Sequence, residues 1–381
     1  MTKPLDVVPV YLPYLGAEIK QAAADALEDG WLGIGPLTER FEKELESYLE
    51  LTEGRRVVST SSCTAALHLA TILAGAGPGD EVICPAFTYV AGHQAVSATG
   101  AEVVFCDIEE QTWGADPASI ESMITERTKA VMAVHYAGVP CDLDGIYALA
   151  GKYGLRVIED AAHAFGSRHQ GKRIGSIGDL VCFSFGPVKA ITTMEGGAIV
   201  TPNPDDVQRL HELRLIGVTA DTNARYQRGR MWDYDVVRQG YRYHLGSVPA
   251  AIGLSQLPLA ETFAANRRSY CRTYDEQLAG VSGVNAMATD WTDVVPYIYV
   301  LRLDDGVDRA DFMAHLKARG VASGIHFNGG HHYSFYEKNP RADMSVTDRV
   351  SSQVVTLPLH PFMDEETLSR VTAAVRSYFA A

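Results

Sequence analysis

The chain has no CxxC pair, no low-complexity tract and no block of like charges, and basic residues are outnumbered. Each absence removes a class of function. Six cysteines, at positions 63, 84, 106, 141, 182 and 271, are too scattered for a zinc knuckle or dithiol motif. Several fall in apolar, strand-like runs and read as reduced, mostly buried thiols. No stretch approaches the roughly 18 apolar residues a membrane helix needs. The opening MTKPLDVVPVYLPYLG also lacks a basic region followed by a long apolar run. The expectation is a cytoplasmic protein with no membrane partner. With 33 Lys and Arg against 47 Asp and Glu, the net charge is -14. That field repels polyanions, so nucleic acid is not an expected partner, although a local basic pocket can still hold a phosphate.

What is present is a long, ordinary globular composition: 381 residues, 46% hydrophobic and 21% charged. That exceeds the size at which one core usually stops growing, so two lobes are expected. From about residue 55 to 201, short β-branched runs alternate with helical patterns. RRVVST, DEVICP, AEVVFCDI, TKAVMAVHY, LRVIED, DLVCFSF and GGAIVT read as strands, and CTAALHLATILAG, YVAGHQAVSATG, PASIESMITE and DLDGIYALAGKYG as the helices between them. This is an α/β pattern: a doubly wound, mainly parallel sheet of about seven strands. Residues 202 to 246 read as a helix followed by an irregular loop. VPAAIGLSQLPLAETFAANRRSYCRTYDEQLAG reads as one long bridging helix, and PYIYVLRL, RADFMAHLKARG, VASGIHF and DEETLSRVTAAVRSYFA as strands and helices of a smaller α+β lobe. The division expected is a large domain over 1–246, with the N-terminal segment, and a smaller one over 247–381.

In open α/β sheets, functional groups collect beyond the carboxyl ends of the strands. Three such ends carry chemistry. In VVSTSSCTAALHLA, the hydroxyls of Ser61, Ser62 and Thr64 sit at a helix start, where free N–H groups and the helix dipole favour an anion. In LRVIEDAAHAFGS, Asp160 follows an apolar strand and His163 comes three residues later. In FSFGPVKAITTMEGGA, Lys189 stands among apolar and small residues, a setting that disfavours the ammonium and favours a nucleophilic amine.

Taken singly, each feature has a structural explanation. Ser62 and Asp160 can be helix caps, His163 a core imidazole and Lys189 a snorkelling surface residue. Together they match one demand, that of pyridoxal 5'-phosphate, which needs a phosphate cradle, an acid facing its ring nitrogen and a lysine for its aldehyde. PAFTYVAG adds Phe87 and Tyr89 at a further strand end; Phe87 reads as core and Tyr89 as the ring-stacking residue.

These motifs, in this order and over nearly the whole chain, resemble the sugar aminotransferases of the StrS or DegT group, which are fold-type I pyridoxal-phosphate enzymes. The resemblance extends to DGWLGIGPLTERFEKEL, AAIGLSQL and VTLPLHP. It implies that Lys189 bonds the cofactor, Asp160 faces the ring nitrogen and Tyr89 stacks on the ring. Thr64 and Ser184 would hold the phosphate with backbone at Cys63 assisting, and His163 would stand near the ring hydroxyl. It implies a homodimer with active sites at the interface. Where relatives place an asparagine in a GYNY-like segment that reaches the partner's phosphate, this chain has GYRYHLGS and thus Arg242.

The activity implied is transfer of an amino group from L-glutamate to a keto sugar nucleotide. Cys63 is similar to the branch acting on 4-keto-6-deoxy sugars, and the intact Lys189 favours transamination over the dehydration performed by relatives with histidine there. A keto-cyclitol acceptor and a non-catalytic sensor or scaffold are the alternatives. Arg225, Arg228 and Arg230 are candidate diphosphate holders, and His326 and His331 candidate sugar contacts. His326, His331 and His332 have no acidic or cysteine partner at ligand-like spacing, so no metal is expected. The glycines after Glu195 are expected to allow close approach of backbone to cofactor or partner chain; no role is assigned to Glu195.

Overall fold

The computed structural model describes residues 7–219 and 234–380. The main sheet has seven strands: β1 (Arg56–Thr60), β2 (Glu81–Pro85), β3 (Glu102–Cys106), β4 (Thr128–Val134), β5 (Arg156–Asp160), β8 (Leu180–Ser184) and β9 (Gly197–Thr201). Their order is β1-β9-β8-β5-β4-β2-β3. All seven are the runs expected from sequence. Every pairing from β8 through to β3 is parallel, while β9 runs antiparallel to both of its neighbours. A small hairpin of β6 (Arg168–His169) and β7 (Lys172–Arg173) lies outside this sheet.

Alternation along the strands builds two cores, one on each face. In β4, Val131 and Ala133 join a cluster with Phe41, Leu45 and Phe183, whereas Ala130, Met132 and Val134 join one with Leu67, Ala70 and Leu210. The first face is covered by α2 (Pro36–Tyr48), α5 (Pro117–Met123) and α6 (Leu143–Tyr153); the second by α3 (Cys63–Leu73), α4 (Ala91–Ser97) and α7 (Pro204–Leu213). Strands buried on both sides must be apolar throughout, which is why they read as unbroken runs.

The expected long helix is two. α8 (Ser247–Gln256) and α9 (Ala260–Leu278) are separated by a 3₁₀ turn at Leu257–Leu259. Pro258 lies in that turn, and without a backbone N–H it cannot continue the ladder. α8 packs against α1 (Ala17–Asp29) and α2.

The C-terminal part has an antiparallel sheet, β10 (Val284–Ala286), β11 (Tyr299–Leu303) and β12 (Val354–Leu357), packed with α10 (Arg309–Ala318), α11 (Ser345–Gln353) and α12 (Glu365–Phe379). VASGIHF, expected as a strand, makes isolated bridges instead: Val321 with Val8, and Gly324 with Thr356. Val8 is thereby buried in the core formed by Phe312, Val355 and Val371. The N-terminal segment crosses to the C-terminal core before the chain enters the main sheet.

Candidate active site

The carboxyl ends of β1, β5 and β8 open onto one cavity of about 400 Å³. Cys63, Thr64, Tyr89, Asp160, His163, Ser184, Lys189 and His326 all line it. The expected set is therefore brought together from positions more than 250 residues apart in the chain.

β1 delivers the chain to α3. Ser62 is the helix cap, its hydroxyl accepting the Ala65 N–H at 3.1 Å. The cap serves Ala65, so the first-turn N–H groups of Cys63 and Thr64, which have no intrahelical acceptor, remain available at the cavity edge. Gly197 makes this approach possible: a Cβ there would stand 2.6 Å from Cys63 N and from Ser62 C and O. The close approach expected after Glu195 is thus made by the chain's own helix start. Burial pushes the Cys63 thiol pKa well up, and the charge of Asp160 adds to this while Lys189 offsets part of it. Cys63 is a neutral thiol, and its contribution to the site is backbone.

β5 ends at Asp160, whose Oδ1 accepts the Ala162 N–H at 3.0 Å. Burial raises its carboxyl pKa, and the Ala162 N–H, Lys189 and His135 pull it back in part. His163 is held neutral, its pKa well below the usual imidazole range because of burial and of the Lys189 and His326 charges. Its Nδ1 is buried without a hydrogen-bond partner among the described residues.

β8 ends at Ser184, and Lys189 follows in the next loop. The Lys189 ammonium lies 4.1 Å from the centre of the Tyr297 ring, which supplies a cation–π contact. Phe87 is buried in the core with Trp113 and Tyr136, and Tyr89 is exposed at the cavity, 5.8 Å from the Phe327 ring.

Among the lining residues that the sequence does not announce are Tyr297, Tyr11 and Phe327. Tyr297 packs tilted against His163 with ring centres 4.2 Å apart and stacks on Tyr11 at 5.5 Å, and the Tyr11 hydroxyl pairs with His326 Nε2 at 2.9 Å. His326 Nδ1 continues to Thr356 Oγ1 at 2.8 Å. Burial first, and the Lys189 charge second, hold the His326 pKa down at about 4. Tyr11 and Tyr297 lie in VYLPYLG and PYIYV, aromatic runs that a local reading assigns to core. Glu195 also lines the cavity.

Other expected residues lie elsewhere. His331 is buried away from the cavity, paired with Asp348. Arg242 is exposed and does not line this cavity. Tyr241 and Tyr243 pack on His68 of α3, and the residue between them faces outward. Arg225, Arg228 and Arg230 fall outside the described residues.

A cation-bearing flat ring with a phosphate fits these residues. Asp160 is a buried carboxyl whose pKa is raised by burial, and a facing ring N–H would lower it again. The unpartnered His163 Nδ1 offers a hydrogen bond to a polar ring substituent. The start of α3 is a ready anion site, and the Lys189 side-chain amine has no hydrogen-bond partner among the described residues.

Fold and site together define a fold-type I pyridoxal-phosphate-dependent aminotransferase. The DegT/DnrJ/EryC1/StrS aminotransferase family model matches residues 13–376, and the chain belongs to that family. It is similar to the aminotransferase TlmJ of Streptoalloteichus hindustanus, at 31% identity over 98% of this chain and 99% of that one, with a TM-score of 0.90. The sugar aminotransferase CalS13 of Micromonospora echinospora is 28% identical over 97% and 99%, with a TM-score of 0.88. Spr1654 of Streptococcus pneumoniae is 29% identical over 98% and 99%, with a TM-score of 0.90; its structures include a PMP form and a PLP form.

Proposed function

We propose that the protein transfers an amino group from L-glutamate to the keto group of a nucleotide-linked sugar, a 4-keto-6-deoxy sugar in particular. The observation that carries this reading is the convergence of Lys189, Asp160 and the start of α3 on one cavity. The description of CalS13 as a sugar aminotransferase supports the sugar, as do Tyr11, Thr88, Glu195 and His326 in the cavity lining, which offer hydroxyl, imidazole and carboxylate partners to a polyol.

Pyridoxal phosphate, when bound, supplies an aldehyde that takes up an amine and a ring that accepts the electron pair left by a departing proton. This chain's residues do the rest. The Thr64 and Ser184 hydroxyls and the first-turn N–H groups of α3 bind the phosphate. Asp160 holds a proton on the ring nitrogen, Tyr89 covers the ring face, and His163 Nδ1 orients the ring hydroxyl. Lys189 would bond the cofactor at rest, and its freed Nζ would accept the proton from the donor's α-carbon and hold it for return on the far side of the bridging nitrogen. Tyr297 keeps the Lys189 nitrogen within the cavity through the interval.

We further propose a cytoplasmic homodimer, in which Arg242, exposed on its own subunit, reaches the partner's phosphate with a forked, permanently charged group. Among the described residues no helix is long and apolar enough to cross a membrane. The proposed division at 246/247 separates the cofactor-binding sheet from most of the C-terminal core.

The test of substrate is a panel of keto sugar nucleotides and keto-cyclitols offered to glutamate-treated protein, with recovery of the original cofactor absorbance as readout. Recovery with the nucleotide sugars alone supports the proposal. Recovery with the cyclitols alone replaces the substrate. Absence of any spectral response to glutamate would favour a non-catalytic sensor or scaffold.

A further inference from the structure

We infer that His331, His332 and Asp348 form a binding site for a divalent transition-metal ion, separate from the cavity. Sequence spacing gives the two histidines no acidic partner, yet the fold supplies one from sixteen residues beyond His332. Asp348 Oδ1 stands 3.0 Å from His331 Nε2 and 2.7 Å from His332 Nε2. All three ligand atoms lie within 4.8 Å of one another, and the two rings are 3.9 Å apart.

The backbone holds each ligand in place. Gly330 N–H bonds to Ala86 O at 2.7 Å and His332 N–H to Gly329 O at 3.1 Å, fixing the turn that carries both histidines. The Asp107 carboxylate accepts from Val346 N, Thr347 N and the Thr347 hydroxyl, which pins the first turn of α11 and with it Asp348. His331 is buried against Phe105, whereas His332 and Asp348 are exposed and give an ion its route in. A pre-positioned set of this kind costs little to organise on binding.

The chemistry selects the ion. Two imidazoles and one carboxylate suit zinc and its neighbours, with a fourth position left for water. Metal–ligand bonds of about 2.0–2.1 Å at tetrahedral angles place ligand atoms roughly 3.3 Å apart. The 3.0 and 2.7 Å separations of the two histidine nitrogens from Asp348 Oδ1 need to open by about 0.3–0.6 Å. Binding also requires both imidazoles to present a bare Nε2, so affinity falls as pH falls. Arg341, whose guanidinium donates to His331 O at 3.4 Å, brings an opposing charge and limits affinity. Because the turn continues from His326 and Phe327, an ion here would tie the cavity-lining loop to α11.

The test is calorimetric titration of the untagged holoenzyme with Zn²⁺, repeated with His332→Ala and Asp348→Asn. Both changes are at exposed side chains, and circular dichroism verifies that the variants are folded. The expected result is one Zn²⁺ per chain in the original protein, weakened at least tenfold in each variant, with ligand-field absorption when Co²⁺ replaces Zn²⁺. Absence of uptake below millimolar Zn²⁺, or uptake equal in all three proteins, would overturn the inference.

Discussion

His135 Nε2 stands 3.0 Å from Glu159 Oε2, with neither side chain exposed, immediately behind the strand end that carries Asp160. Adjacent residues of a strand face opposite ways, so Asp160 meets the cavity while Glu159 points into the other layer. There its second oxygen accepts from Tyr147 at 2.6 Å. Gly178 leaves the room: a Cβ at that position would sit 2.0 Å from Glu159 Oε1. The pair anchors the ends of β4 and β5 to each other beside the site. Removing one partner leaves the other charge buried. Glu159→Gln is expected to cost about 3–5 kcal/mol of stability, whereas replacing both residues with apolar ones of similar volume costs less. Urea denaturation of the three proteins checks the order.

Stability should fall on both sides of neutral pH. Burial holds His93 at about 4; it also lowers His326 and His360 to about 4, aided at His326 by Lys189 and at His360 by Arg267. Each would charge near 6.5 in the unfolded chain. The stability they preserve above pH 6.5 is therefore lost as pH falls towards 4, on the order of 3 kcal/mol for His93 alone. His135 has the opposite sign. Burial lowers its pKa, but Cys141 and Glu159 outweigh that and push it up to about 10. Its contribution is complete below pH 6.5 and lost as pH rises through 10. Unfolding free energies from pH 4 to 10 check both arms; a flat profile between pH 6.5 and 4.5 would contradict the first.

Gly197→Ala should separate cofactor binding from folding. The new methyl presses on the backbone at Ser62 and Cys63 and displaces the start of α3, where the phosphate is proposed to sit. Each 1.4 kcal/mol lost there is a tenfold loss of affinity. An increase of about tenfold or more in the pyridoxal phosphate Kd is expected, measured by absorbance titration, with the folded state retained by circular dichroism.

Tyr11→Phe should act on the acceptor. Tyr11 lines the cavity, pairs with His326 and supplies a hydroxyl rather than an acid. Reaction with glutamate should proceed at nearly the original rate while reaction with the keto acceptor slows about tenfold or more, a loss of roughly 1.4 kcal/mol. Stopped-flow absorbance of the two halves, recorded separately, distinguishes them.

The strands of the main sheet and most of the proposed cofactor contacts were legible because both are local: apolar runs mark doubly buried strands, and the groups at strand ends follow them directly. Asp160, Lys189 and Thr64 each lie within a few residues of such a run. What escaped depends on tertiary placement. Tyr11 reaches the cavity because Val8 is pinned to Val321, a contact no local pattern announces. Tyr297 looks like any core aromatic until Lys189 is placed over it. His331 sits five residues after His326, yet the turn at Gly330 carries it to Asp348 instead of the cavity. Pro258 was visible in sequence, and its missing N–H, not the helical periodicity around it, decides the break.

The central assignment is that Lys189 bonds the cofactor and moves the proton. Its most direct measurement is the rate at which L-glutamate changes the absorbance of pyridoxal-phosphate-loaded protein, compared with Lys189→Ala loaded in the same way. The original protein should be yellow and bleach on addition of glutamate; the variant should lack the lysine-bound absorbance and react slower by several orders of magnitude. Bleaching of Lys189→Ala at the original rate would contradict the account.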